Sequence, residues 1–253
     1  MDLLNFDKIY VIHCAESKNR YENIKFQMSN NTKLNDKLEI WWTCYQPNMD
    51  IQLNAMLYSN KSWHLYNCNE ISLLREFYTI IKQSYLRGFE HILIFEDDFS
   101  LMKEDIFNKF MSCLPEDFDI IQLSYLSHEK MYDVNKLLKS NKCWVNMEFG
   151  AWSNCGLGLS RKGMKYFIDT IDNEIMAADM PIFESKNKNK YYGKINRSND
   201  DIKHYIPCYP LVYVDGSESE VQQNSKTDIY NFVYPYVKKH LYNIYENNKI
   251  GGN

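Results

Sequence analysis

HILIFEDDFS, residues 91–100, joins four consecutive apolar side chains, Ile92 to Phe95, directly to three carboxylates, Glu96, Asp97 and Asp98. A short unbroken apolar run fits a strand covered on both faces, the kind found in parallel sheets flanked by helices. Where such a strand ends the chain leaves the core, and open α/β sheets bind their ligands at that edge. Three neighbouring anions repel one another, so they require water or a cation. On extended backbone alternate side chains share a face, which groups Glu96 with Asp98 and turns Asp97 away. Two oxygen ligands with open positions beside them suit Mg²⁺ or Mn²⁺ carrying the phosphates of a substrate. A solvated acidic turn after a core strand is the competing reading.

The pattern on either side of this stretch is that of an α/β domain. Residues 70–88 read as a helix, with Ile71, Leu74, Phe77, Tyr78 and Ile81 at three- and four-residue steps and Gly88 placed to end it. A strand, a helix and a further strand in succession imply a right-handed parallel crossover. Upstream, KIYVIHC (residues 8–14) is the first strand and EIWWT (residues 39–43) the second. Between them residues 15–29 carry Ser17 ahead of a helical pattern with Tyr21, Ile24 and Met28 on one side. Arg20 falls in its first turn, beside the end of the first strand. Its planar fork suits a diphosphate or base contact, and a solvated surface cation is the plainer alternative.

Downstream, DIIQL (residues 119–123) is another buried strand. Gly150, Gly156 and Gly158 allow close backbone approach, but there is no GKS/T and hence no phosphate-binding P-loop. Ser160 reads as the N-cap of a helix that turns Met164, Phe167, Ile168 and Ile171 inward. YIPCYPLVYV (residues 205–214) looks like a late strand whose prolines favour a sheet edge. Residues 184–201 read as a polar surface loop, and residues 230–247 as a helix. The expectation is a single α/β domain with a central, mostly parallel sheet flanked by helices and an irregular C-terminal third.

Composition narrows the function classes. A net charge of −4 with no basic stripe argues against a nucleic-acid partner. The chain holds 20 Tyr, whose stacking faces and hydroxyl tips suit sugar or nucleotide clefts, although the accompanying excess of Asn, Lys and Ile points to coding bias for most of them. No run approaches the roughly 18 apolar residues of a membrane span. The start, MDLLNFDKIYVIHC, lacks the basic and apolar regions of a signal peptide. Seven scattered Cys without CxxC spacing read as reduced thiols of a cytoplasmic protein, with Cys113 and Cys155 as buried small hydrophobes. The Tyr/Lys-rich residues 230–247 leave room for peripheral membrane association, with docking on the core as the simpler state.

Several stretches, taken in order, resemble glycosyltransferase family 25, the lipooligosaccharide and collagen β-galactosyltransferases. KIYVIHCAESKNR (residues 8–20) is similar to the family's opening xIxVINLxxxxxR, with His13 and Cys14 where Asn and Leu are usual. The helix and strand ending ILIFEDD at Asp98 look like its helix and ILEDD strand, and FDIIQLSY (residues 118–125) like its WDxIxLG. CGLGLSRKGM (residues 155–164) resembles its S-R-x-G-A segment, and Asp179 matches the Asp of its D-x-x-(L/P) turn. YPLVYVDGSESEVQQNSKTDI (residues 209–229) is similar to its proline-led strand and Gln/Ser segment. The family's Ser-His at the start of the central helix has no counterpart, since Ser72 is followed by Leu73.

The resemblance implies a GT-A-like fold whose acidic motif holds Mn²⁺ (or Mg²⁺) against the diphosphate of a UDP-sugar. It assigns the metal to Asp98 first, with Glu96 and Asp97 assisting at metal or ribose, and nucleotide contacts to Ile12, His13, Cys14 and Arg20. It further implies inversion at the anomeric carbon, with Asp179 as the general base. The transferred sugar would be a hexose, galactose favoured, and the acceptor a glycan, a glycolipid or a collagen-like protein. Residues 1–125 would form the nucleotide-binding part and residues 126–253 the acceptor side. Two other classes remain: a non-catalytic nucleotide-sugar or glycan-binding domain, and a Mg²⁺-dependent nucleotidyltransferase. The latter needs further acids from neighbouring strands, and Asp119 and Asp105 are poorly placed to serve.

Overall fold

The computed structural model describes residues 5–43, 62–63, 68–124, 143–146, 153–173, 175–176, 201–208 and 210–214. In chain order the elements are β1 (Lys8–Cys14), α1 (Lys18–Ser29), α2 (Thr32–Asn35), β2 (Leu38–Thr43), β3 (Ser62–Trp63), α3 (Cys68–Leu86), β4 (His91–Glu96) and β5 (Phe99–Leu101). There follow α4 (Glu104–Ser112), β6 (Ile120–Gln122), β7 (Trp144–Asn146), β8 (Leu157–Ser160), α5 (Arg161–Asn173), β9 (Ile175–Met176), β10 (His204–Pro207) and β11 (Val212–Val214).

A seven-stranded sheet in the order β2-β1-β4-β8-β6-β10-β7 forms the centre. Its period-two alternation feeds two cores. Ile9 and Val11 of β1, with Leu93 and Phe95 of β4, pack against α1 and α4 through Ile24, Met28, Phe107, Phe110 and Met111. Tyr10 and Ile12, with Ile92 and Ile94, pack on the opposite face against Leu74, Phe77, Ile80 and Ile81 of α3 and Met164, Phe167, Ile168 and Ile171 of α5. Ile92 to Phe95 are all fully buried, as the unbroken apolar run predicted. Each such side chain contributes about 1.5–3 kcal/mol of burial, so the three-layer arrangement is held chiefly by these two clusters. Gly88, at φ +82°, closes the turn after α3, and the Ser160 hydroxyl accepts from Gly163 N at 3.1 Å as the cap of α5.

Five of the seven strands share one direction, as expected: β2, β1 and β4 run parallel, and β6 and β10 follow the same sense, while β8 is antiparallel to both its neighbours and β7 to β10. Two expectations change. The proline-bearing β10 is not an edge strand but lies between β6 and β7. Pro207 is its last residue and β11 pairs separately with β5, so the break between them absorbs the missing amide. Cys113 is exposed just past α4, whereas Cys155 is buried as expected. Ser17 precedes α1 but makes no side-chain cap bond. The central sheet draws strands from both sides of residue 125, and no helix among the described residues is long and apolar enough to cross a membrane.

Candidate functional site

Strands β2, β1 and β4 share a direction, so Thr43, Cys14 and Glu96 end at one edge of the sheet. The strand stops at Glu96, and Asp97 and Asp98 form a turn before the chain returns as β5. Extended alternation therefore does not govern the three acids; the turn does. Asp97 folds back over β1 and is only 5% exposed. Its Oδ2 accepts from Cys14 N at 3.1 Å and meets His13 Nδ1 at 2.8 Å, while Oδ1 accepts from Arg20 at 2.7 Å. Asp97 is thus committed inside the protein, with Arg20 as its counter-ion.

Asp98 is directed elsewhere: its Oδ1 lies 4.0 Å from the thiol of Cys155. Burial first, and then the charges of Asp98 and Glu96, push that thiol well above its ordinary pKa. A neutral S–H thus backs the two carboxylates. Among the described residues no group of three or more His, Cys, Asp or Glu could hold a metal by itself. Glu96 and Asp98 are the two carboxylates at this strand end not committed to the Asp97 cluster, and could serve as a donor pair. Two hard oxygen donors fit Mg²⁺ or Mn²⁺ completed by phosphate and water, and do not fit a closed four-ligand zinc site.

Alternation along β1 puts His13 on the face of Ile9 and Val11, towards α1. The imidazole, 1% exposed, stacks on Tyr21 with centroids 5.5 Å apart and meets Trp42 edge-on at 5.1 Å. Trp42 remains 55% exposed, an aromatic face open to solvent at the same edge of the sheet. Ile12 points the other way into the α3–α5 core, so any ligand contact from it is through its backbone.

The structure therefore brings together His13, Cys14, Arg20 and Asp97, and places Glu96 and Asp98 beside Cys155. Asp179, most of the 184–201 loop and the 230–247 helix lie outside the described residues. Trp42 and the polar stripe of α1 escaped the sequence reading. Arg20, Asn23 and Gln27 follow a helical i, i+3, i+7 spacing; Asn23 donates to Phe99 O at 2.8 Å and Gln27 accepts from Leu101 N at 3.0 Å. That spacing was available as a signal; what it grips was not.

Asp119 lies at the start of β6, hence at the opposite edge of the sheet, and accepts from Ser160 Oγ, Lys162 Nζ and Lys203 N at 3.3, 3.1 and 2.9 Å. Asp105 lies in the first turn of α4. A groove of about 840 Å³ also opens at the Asp119 edge, lined by Tyr85, His91, Arg161, Lys162, Lys165 and Tyr166. Its cations have partners within the protein: Arg161 donates to Tyr85 O at 3.0 Å, Lys162 pairs with Asp119 at 3.1 Å and Lys165 with Asp169 at 2.8 Å. Burial pulls His91 below its usual pKa, outweighing the nearby charges of Asp7 and Glu90. The fold and site define an α/β protein with a carboxylate-bearing turn at the end of a run of parallel strands. Compared with protein-family models and with curated proteins, the chain matches none.

Proposed function

We propose that the chain is a metal-dependent, inverting glycosyltransferase with a GT-A-like fold, moving a hexose from a UDP-sugar to a hydroxyl of a glycan, glycolipid or protein. The observation that carries this reading is the position of Glu96 and Asp98 at the C-terminal end of β4, the last of three parallel strands that end at one edge with exposed Trp42 on β2. In transfer, the acceptor oxygen attacks the anomeric carbon, the bond from that carbon to the diphosphate breaks, and the hydroxyl proton passes to a base. Glu96 and Asp98 would hold a divalent cation, which would supply positive charge for the departing diphosphate. Thr43, Cys14 and Glu96 mark the strand ends against which a nucleotide would lie, and Trp42 offers a ring for stacking. Asp179 is the proposed base, in line with the resemblance to family 25. The position of Asp119 at the far edge counts against a nucleotidyltransferase that would need it beside Glu96.

The test is a panel of nucleotide sugars with Mn²⁺, scoring nucleotide release. Release from a UDP-sugar is expected; binding without release would favour a non-catalytic sugar-nucleotide domain instead. Asp179→Asn is expected to keep donor affinity while transfer falls about 10²–10⁴-fold, the range for loss of a general base. A normal transfer rate in that variant would exclude Asp179.

A further inference from the structure

One charged group at the strand-end site has no part in the chemistry just described. The buried Asp97 carboxylate is met by three groups from two elements, Cys14 N–H and His13 Nδ1 on β1 and the Arg20 guanidinium on α1. An amide N–H and a guanidinium can only donate, so Asp97 is the acceptor and His13 Nδ1 carries a proton toward it. In its neutral form His13 is then the Nδ1–H tautomer. Tyr21 on one face and the edge contact with Trp42 hold the ring in that orientation.

The consequence for the neighbouring acids is geometric. Glu96 and Asp98 flank Asp97, so locking the middle residue onto β1 and α1 leaves the turn no room to swing. The same face of α1 grips β5 just beyond, through Asn23 and Gln27. Electrostatics points the same way: the Arg20–Asp97 ion pair offsets one of the three neighbouring negative charges within the protein.

We propose that Asp97 is a positioning residue: through His13, Cys14 N–H and Arg20 it sets the direction in which Glu96 and Asp98 offer their carboxylates to a divalent cation. This rests on the reading of Glu96 and Asp98 as the cation pair. The experiment measures Mn²⁺ binding to the full chain by electron paramagnetic resonance with no sugar nucleotide present. It is paired with ¹⁵N resonances of the His13 imidazole at about pH 8, where an ordinary imidazole is neutral. His13 is expected to be protonated at Nδ1. Asp97→Asn should weaken Mn²⁺ binding about 10–100-fold, as loss of an outer partner of a metal ligand does. His13→Asn, whose amide N–H can replace Nδ1–H as donor, should bind Mn²⁺ like the wild type, whereas His13→Ala should weaken binding. This pair carries the test if Asp97→Asn does not fold. Wild-type affinity in Asp97→Asn or His13→Ala, equal losses in the two His13 variants, or an Nε2–H imidazole in the wild type would each overturn the positioning role and leave the cation pair standing. Failure of the wild type to bind Mn²⁺ would overturn both.

Discussion

Replacing Asp98 by alanine is expected to leave a folded protein that has lost metal-dependent turnover of a UDP-sugar. A cation at a departing diphosphate is worth several kcal/mol in the transition state, so removing its principal ligand should lower kcat/KM about a thousandfold. Stability should barely change. Asp98 lies in a turn, half-buried and outside both core clusters, with a thiol contact at 4.0 Å, so its loss should cost less than that of buried Asp97. The adjacent acid supplies the contrast. Asp97→Ala would strip the partner from a buried amide, a buried imidazole and a guanidinium, at about 1–3 kcal/mol for a buried donor left unpaired. Steady-state rates and thermal melts on the two alanine variants therefore separate the roles. Turnover unchanged in Asp98→Ala would remove it from the cation site.

This contrast between neighbours was only partly legible in the sequence. The apolar run of β4, the strand Lys8–Cys14 and the inward faces of α3 and α5 follow from periodicity alone, because hydrophobic burial repeats at 2.0 or 3.6 residues. The same reasoning put Arg20 beside the end of β1, where it meets Asp97. That Asp97 parts from Glu96 and Asp98 was legible from alternation; what it turns toward was not, since that depends on where extended backbone gives way to a turn. In EDDFS that point comes one residue after the last apolar side chain, and the partner that pulls Asp97 inward lies 84 positions away at His13. Strand order was equally hidden. Nothing local in LGLS announces that it enters antiparallel between β4 and β6, because sheet neighbours are chosen by the packing of the whole layer. Trp42 reads as one more apolar residue of EIWWT; only the last turn of β2 against Tyr21 and His13 leaves its ring open to solvent.

A second marked loss of stability comes from the smallest change. Gly163 is the third residue of α5, where glycine ordinarily costs about 1 kcal/mol relative to alanine, so Gly163→Ala would raise the melting temperature of an unconstrained helix. Here the sign should reverse. A Cβ at Gly163 would stand 2.0 Å from the backbone oxygen of Asp119, a distance no carbon and oxygen share without a bond. That oxygen cannot retreat easily, because it accepts from Ser160 N at 3.0 Å, and Ser160 in turn caps the helix through Gly163 N at 3.1 Å. Either α5 lifts off the sheet, opening contacts of Met164 and Phe167, or the β6–β8 ladder spreads. Forced repacking of this kind costs about 1–3 kcal/mol or more, which outweighs the gain in helix propensity. At about 2–4 °C per kcal/mol for a chain of this size, a net loss of about 1–2 kcal/mol should lower Tm by about 2–8 °C. A thermal melt decides it, and a rise in Tm would mean that α5 and β6 do not approach so closely. The damage is confined to the Asp119 edge, so Mn²⁺ affinity of the folded Gly163→Ala protein should match the wild type. A parallel loss of both would mean that the two edges of the sheet are mechanically coupled, and that the acid turn owes its geometry to α5 as well as to α1.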